Sequence, residues 1–159
     1  RKYMNRLFIS ILLVFIWITA QAGEMAAAAP DGMVVKASSH GVSETIDRLE
    51  EIVKKKGITV FLRLDHAAGA KSVGKSLRPT EILIFGNPKL GSPLMMSNQS
   101  VGIDLPLKAI AWEDASGKVC LAYNKPEYIA QRHQLEDQQK VIEKMTGALD
   151  KFTNYAIGQ

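Results

Sequence analysis

Hydrophobic and polar positions repeat with a helical period in two parts of the chain. In the first part, apolar residues three and four positions apart predict an amphipathic helix that begins at Ser43 and ends at Gly57. The residues of this stripe are Val42, Ile46, Leu49 and Val53. The second stripe predicts the last helix of the chain, with a core-facing surface or a partner-binding face made by Leu135, Ile142, Met145, Leu149, Phe152 and Ala156.

A period of two, typical of β-strands, separates these helices. Residues 58–65 alternate strictly, and the alternation predicts that Ile58, Val60, Leu62 and Leu64 face the core. Residues 66–79 are small and glycine-containing, and we expect a flexible loop there. Further strands are predicted at residues 33–36, 80–85, 105–113 and 118–123, with a hairpin turn at 114–117 and a short helix near 92–97.

The order of these elements predicts the fold class. Strands follow one another in runs instead of alternating regularly with helices, which favours an α+β fold over a parallel α/β fold. We expect a β-α-β-β-β-β-α order, with one antiparallel sheet of about five strands and the helices on one face. A length of 159 residues fits a single domain.

The first residues of the chain have the pattern of an export signal. Arg1, Lys2 and Arg6 precede an apolar run, and the small residues Ala20 and Ala22 follow it. The pattern predicts a signal peptide at 1–22, a flexible linker at 23–32 and an α+β domain at 33–159, exported into a bacterial periplasm. The alternative is an uncleaved N-terminal anchor.

The net charge is +4, but the basic excess lies in the export signal. Removal of residues 1–22 lowers the count of Lys and Arg from 20 to 17 against 16 acidic residues, so the charge falls to +1. A nucleic-acid-binding domain would need basic residues clustered on its folded part. We therefore expect no nucleic-acid partner. We also expect no stable membrane span after cleavage, because the apolar run is removed with residues 1–22.

Sequence motifs for metal and cofactor binding are weak. His40, His66 and His133 are too far apart for a local metal motif, and no metal site or cofactor is expected. Residues 69–76 match the glycine and lysine positions of a phosphate-binding loop, but Pro79 leaves no room for the helix that such a loop needs. Cys120 lies among apolar residues and is interpreted as a small buried side chain.

Polar residues at strand ends remain as candidate chemistry. Asp65 and His66 follow one predicted strand, and Asn87 follows the next. A histidine beside a carboxylate serves as a general acid or base, or it fixes a loop through a hydrogen bond. If the two strands are antiparallel neighbours, the two groups lie at opposite ends; if the strands are parallel, the groups meet.

Several of these residues belong to motifs that resemble the domain of unknown function 302 (DUF302) family over residues 42–149. The motifs are Asp65-His66, Ala70, Pro79-Thr80, Phe85-Gly86-Asn87-Pro88, residues 104–108 and residues 123–126. The resemblance implies a compact α+β domain with the outline of the TATA-binding-protein fold, often dimeric and often exported. It implies no activity, but it marks motif positions, and five of these are candidate ligand-binding residues: Asp65, His66, Asn87, Asp104 and Lys108.

The leading functional interpretation is an exported homodimer that binds a small ligand in a partly polar, partly apolar cleft. Met95, Met96 and Trp112 are candidates for the apolar walls. The first alternative is a hydrolase- or lyase-like enzyme in which His66 acts as acid or base and Asp65 orients it. The second alternative is a structural or assembly partner in the cell envelope, with the last helix and a free sheet edge as its interface.

Overall fold

The computed structural model describes residues 29–159, so the predicted signal peptide and most of the predicted linker lie outside the described residues. The strands are β1 (Met33–Ser38), β2 (Thr59–Asp65), β3 (Thr80–Gly86), β4 (Leu107–Glu113) and β5 (Val119–Asn124). The helices are α1 (Val42–Lys55), α2 (His66–Ser72), α3 (Pro88–Ser97), α4 (Pro126–Arg132) and α5 (Gln139–Ile157). Two 3-10 helices, Gln99–Ile103 and Glu136–Gln138, complete the domain.

The five strands form one sheet in the order β1-β5-β4-β3-β2. Every neighbouring pair is antiparallel, which confirms the predicted α+β class. In the β2–β3 pair, Thr59 lies opposite Gly86 and Asp65 lies opposite Glu81. The C-terminal ends of β2 and β3 therefore lie at opposite ends of the sheet.

Helices α1 and α5 pack on the same face of the sheet and form the main core with it. The predicted stripe of α1 is confirmed, because Val42, Ile46, Leu49 and Val53 are all buried. The predicted stripe at the end of the chain is also buried, although Leu135 precedes α5 instead of lying in it. From the sheet, this core receives Leu83, Phe85, Ala109, Ala111, Leu121 and Tyr123.

The strict alternation predicted for β2 is wrong in its second half. A β-bulge between Val60 and Leu62 shifts the register, so Leu62 and Leu64 point away from the helices and are 48% and 43% exposed. Arg63 takes the inward position instead. Its Nε lies 2.8 Å from Glu81 Oε2, and its guanidinium also bonds Asp47 of α1.

The prediction of a loop over residues 66–79 is wrong in its first half. Residues 66–72 form α2, because the Asp65 carboxylate accepts the Ala68 N–H at 2.9 Å and caps the helix. The short helix expected near 92–97 is longer than predicted. It begins at Pro88, where a proline suits the first turn of a helix, and it continues through Pro93.

The second face of the sheet carries an apolar surface, which we call the open face. One row of partnered residues crosses all five strands: Val35, Ala122, Ile110, Ile82 and Leu64. The register adds Ala37, Leu62, Ile84, Trp112 and Cys120 to this face, and it places the polar residues Thr80 and Lys108 at the two ends of the face. Cys120 is half-buried rather than buried, and this partial burial, with a contribution from the Asp114 charge, raises the pKa of its thiol.

Candidate functional site

A cavity of about 250 Å³ lies at the end of the sheet where β3 stops. Its floor is formed by Phe85 and Gly86, and its walls come from α3, from the start of β4 and from α5. The side chains around it are mainly apolar and include Ile58, Leu90, Met95, Leu105, Leu107, Met145, Leu149 and Phe152. The cavity is therefore suited to an apolar group of modest size, since typical sites for drug-sized ligands span roughly 300–1,000 Å³.

Gly86 and Asn87 shape the backbone at this end of the sheet. A Cβ atom at Gly86 would lie 3.3 Å from Pro106 Cβ and 3.5 Å from Phe61 Cε2, so glycine lets β3 and the start of β4 approach here. Asn87 then ends the strand and caps α3, because its Oδ1 accepts the Lys89 N–H at 3.0 Å. This cap directs α3 across the end of the sheet, where it forms one wall.

Asn87 is the predicted site residue that lines the cavity, and Ser92 is a second polar residue there. Met95, expected to supply an apolar wall, lines the cavity as well. Met96 is 87% exposed and lies outside this cavity. Trp112 belongs to the open face, on a different part of the sheet.

Asp65 and His66 lie at the opposite end of the sheet from Asn87, because β2 and β3 are antiparallel. The Asp65 carboxylate caps α2 through the Ala68 N–H, and His66 is the first residue of that helix. The structure therefore does not bring the five predicted residues into one cleft. It leaves Asn87, Asp104 and Lys108 at one end and the Asp65–His66 pair at the other.

Asp104 and Lys108 flank the segment 105–107 that lines the cavity. Lys108 Nζ donates to the carbonyl of Pro106 at 3.1 Å and lies 3.4 Å from that of Asp104. The Asp104 carboxylate points toward α4, where Oδ2 lies 2.6 Å from His133 Nε2 and Oδ1 lies 3.3 Å from Arg132 Nη1. Asp104 thus holds the end of α4 against the start of β4.

Sequence reasoning missed the role of His133. This histidine is 7% exposed, and its second ring nitrogen, Nδ1, lies 2.9 Å from Ser100 Oγ. Asn98 fixes the same corner, because its amide Nδ2 donates to the His133 carbonyl at 2.8 Å. The three residues Ser100, His133 and Asp104 form a continuous array that spans 33 positions of sequence.

No local motif predicts this array, because Ser100 and Asp104 lie in and directly after a 3-10 helix, and His133 directly follows α4, 29 positions further along the chain. Ser100 and Asp104 are four residues apart, but His133 lies 29 positions beyond Asp104, too far for any helical or strand period. The described part of the chain, residues 29–159, contains no group of three or more His, Cys, Asp or Glu side chains placed to hold a metal ion. In the same residues, no helix is long and apolar enough to cross a membrane.

Comparison with known proteins settles the family. The model of a domain of unknown function, DUF302, matches residues 34–152, which is most of the chain. The chain belongs to the DUF302 family. The crystal structure of an uncharacterized conserved DUF302 protein from Bacillus stearothermophilus has a similar fold, with a TM-score of 0.71 and 22% sequence identity over 79% of this chain and 98% of that chain. The DUF302 resemblance expected from the motifs is thus confirmed.

Curated relatives of this DUF302 chain carry the name of a membrane protein. The protein named fluoride-specific ion channel FluC 1 of Brucella suis is 47% identical over 135 residues, which cover 84% of this chain and 53% of that protein. The protein of the same name in Brucella abortus is also 47% identical over 135 residues, here 50% of its length. The chain therefore spans about half the length of the curated relatives it matches.

Proposed function

We propose that this DUF302 protein is an exported homodimer that binds a small, mainly apolar ligand in the cavity at the end of β3. The observation that carries the proposal is the cavity itself, which is lined by residues of two helices, α3 and α5, and of three strands, β2, β3 and β4, and is apolar almost throughout. Burial of apolar ligand surface there gains about 25 cal/mol per Å². The sequence pattern of residues 1–22 supports export.

Asn87 supplies the polar contact of the proposed site. Its Oδ1 is occupied by the Lys89 N–H, which leaves the amide Nδ2 as the donor for a ligand oxygen. Ser92, on the next turn of α3, offers a hydroxyl. The favoured ligand therefore has one apolar chain or ring and one hydroxyl or carbonyl group, like a medium-chain alcohol or ester.

A cavity-filling variant tests this proposal. Ala148 lines the cavity from α5, so Ala148→Leu places a larger side chain inside it. We expect 1-octanol to raise the melting temperature of the wild-type chain, because a ligand that binds only the folded state stabilises it. Ala148→Leu should lose that rise.

The matched control is Gly147→Leu, which puts the same side chain one position earlier on α5, where a Cβ meets no atom within 4 Å. This control should respond to 1-octanol like the wild type. An equal response of all three proteins would show that the alcohol binds elsewhere, and no response of the wild type at millimolar concentration would count against the site.

The homodimer part of the proposal rests on the open face. The five strands lie about 4.8 Å apart and are about 20 Å long, so the whole open face of the sheet has an area of about 500 Å². The exposed apolar patch is smaller than this area, because Ala122 is buried and Lys108 and Thr80 lie at the ends of the face. Its central row, from Val35 to Leu64, carries no charge, so the same surface on a second copy is a suitable cover.

A charge placed in the centre of the open face tests the dimer. Ile110→Asp should convert the protein to a monomer in light scattering, and Leu64→Asp, at the exposed edge, should weaken the dimer with less risk to folding. Met96→Asp is the control, because Met96 is exposed on α3, away from the open face. A wild-type chain that is monomeric at 100 µM, on the order of a weak dimer's dissociation constant, would contradict the dimer.

The names of the Brucella relatives favour a second candidate function, association with a fluoride-conducting membrane partner. In those proteins the segment similar to this chain is about half of a longer polypeptide named as a fluoride channel. The DUF302 segment would then act beside such a channel. Fluoride efflux from vesicles that contain a fluoride channel, measured with and without this chain, distinguishes the two functions: a change in efflux supports association, and an unchanged efflux rejects it.

A further inference from the structure

We propose that Ser100, His133 and Asp104 form a nucleophilic site that hydrolyses carboxylic esters whose acyl chain occupies the cavity. The inference rests on the proposed function for the position of the acyl chain. It rests on separate geometry for the chemistry, namely the two hydrogen bonds that join the serine, the histidine and the carboxylate.

The hydrogen bonds assign a role to each member of the array. Asp104 Oδ2 lies 2.6 Å from His133 Nε2, so the carboxylate accepts a hydrogen bond from the N–H of that nitrogen. The other nitrogen, Nδ1, then presents its lone pair to the Ser100 hydroxyl at 2.9 Å. A nucleophile, a base and a group that orients the base stand in the order that activated serines require.

Burial separates the base from solvent and leaves the nucleophile accessible. His133 is 7% exposed and the Asp104 side chain is 12% exposed, whereas Ser100 lies on the surface. Ser100 opens into a shallow depression that shares Ser92 and Met95 with the cavity. A ligand with its apolar chain in the cavity therefore has a route for its polar end toward Ser100, and Gln99 lines the same depression.

The reaction needs only the ester and water. Ser100 Oγ forms a bond to the ester carbonyl carbon while its proton passes to His133 Nδ1, and the C–O bond to the alcohol then breaks as the alcohol takes that proton. Water attacks the resulting acyl-serine, again giving a proton to Nδ1. The acid leaves, and the serine regains its hydrogen. Asp104 is a positioning residue in this scheme, since it touches the histidine and not the ester.

Hydrolysis of p-nitrophenyl octanoate by the purified chain tests the proposal. We expect catalysis above buffer, and covalent labelling by a fluorophosphonate at Ser100 identified by mass spectrometry. Ser100→Ala should lose both. Ser72→Ala should lose neither, because Ser72 is an exposed serine on α2 at the opposite end of the sheet. Hydrolysis by Ser100→Ala at the wild-type rate, or a wild-type chain without hydrolysis or label, would overturn the proposal.

Two further variants separate chemistry from stability and from ligand binding. Asp104→Asn should lower kcat by about 10²- to 10⁴-fold with KM unchanged, because only the orientation of the base changes; equal losses in kcat and in the folded fraction would reject this role. Ala148→Leu should slow hydrolysis of the octanoate ester but not of the acetate ester. If Ser100→Ala abolishes hydrolysis and Ala148→Leu changes neither ester, the cavity fails as the acyl site while the array stands.

Discussion

Asp104 Oδ2 and His133 Nε2 lie 2.6 Å apart and join the segment that precedes β4 to the residue that follows α4, across 29 positions of sequence. Both side chains are nearly buried. Removal of the carboxylate by Asp104→Ala leaves the histidine nitrogen buried without its partner, which costs about 1–3 kcal/mol.

We therefore expect Asp104→Ala to lower the free energy of unfolding by that amount in urea denaturation. Asp137→Ala is the comparison, because the Asp137 carboxylate bonds Ser97 at an exposed position and its loss should cost far less. Equal stability of the two variants would show that the Asp104–His133 contact contributes nothing to the fold.

Glycine substitutions are expected to act with opposite signs at two positions where a Cβ has free space. Gly147 lies inside α5, and Gly147→Ala should stabilise the protein by about 0.5–1 kcal/mol because alanine loses less backbone entropy in a helix. Gly57 follows α1 with φ of +71°, and Gly57→Ala should destabilise by about 1–2 kcal/mol because L residues are strained there. Thermal unfolding of both variants measures the difference in sign.

Gly32 should be less tolerant than Gly57. Its φ is +77°, and a Cβ there would lie 2.4 Å from the ring atoms Cγ and Cδ2 of Tyr128. Gly32→Ala therefore adds a steric overlap to the backbone strain, and we expect a larger loss of stability than in Gly57→Ala. The double variant Gly32→Ala/Tyr128→Ala should regain the part of the lost stability that comes from the steric overlap. A double variant no more stable than Gly32→Ala alone would contradict this explanation.

Asp114 in the β4–β5 turn is expected to have a pKa below the ordinary value of an aspartate. The Ser116 hydroxyl, at 2.7 Å, is the largest cause that lowers the pKa of the Asp114 carboxyl, and the Lys118 N–H adds to it. The pKa of Asp114 is lower in the folded state than in the unfolded state. The stability that these hydrogen bonds give the folded protein is therefore present above about pH 3.8 and is lost as the pH falls through the folded-state pKa.

Ser116→Ala should move the pKa of Asp114 up toward its ordinary value in an NMR titration of the carboxyl carbon. Ser43→Ala, a serine on α1 remote from the turn, should leave it in place. An Asp114 pKa that is identical in the wild type and in Ser116→Ala would refute the role of this hydrogen bond.

The sequence predicts the helices and the sheet well because their signals are local. The stripes of α1 and α5 and the β4–β5 hairpin follow from apolar periodicity and turn residues, and these elements lie where expected. The inward side of β2 could not be predicted, because one bulge after Val60 exchanges the faces of Leu62 and Arg63 and leaves no mark in the alternation. A loop was predicted at residues 66–72 because these small residues have no helical periodicity. The helix there depends on a single capping carboxylate, that of Asp65.

Two residues of the candidate site, Asn87 and Asp104, were predictable from the sequence. Asn87 could be found because it closes β3 and begins a helix with proline, and Asp104 could be found through its family motif. The partners His133 and Ser100 could not, since their contacts depend on how α4 and the 3-10 helix pack against the start of β4. Asp65-His66 and Asn87 belong to separate motifs of the same family resemblance, and the antiparallel pairing of β2 with β3 places them at opposite ends of the sheet.

The most direct test of ligand binding is NMR of the methionine methyl groups, labelled with carbon-13, during titration with 1-octanol. Met95 and Met145 line the cavity, whereas Met33 lies on β1 and Met96 is exposed on α3. We expect saturable shifts of the Met95 and Met145 signals in the wild type, little change at Met33 and Met96, and loss of the shifts in Ala148→Leu. Unchanged Met95 and Met145 signals at saturating alcohol would contradict ligand binding in the cavity.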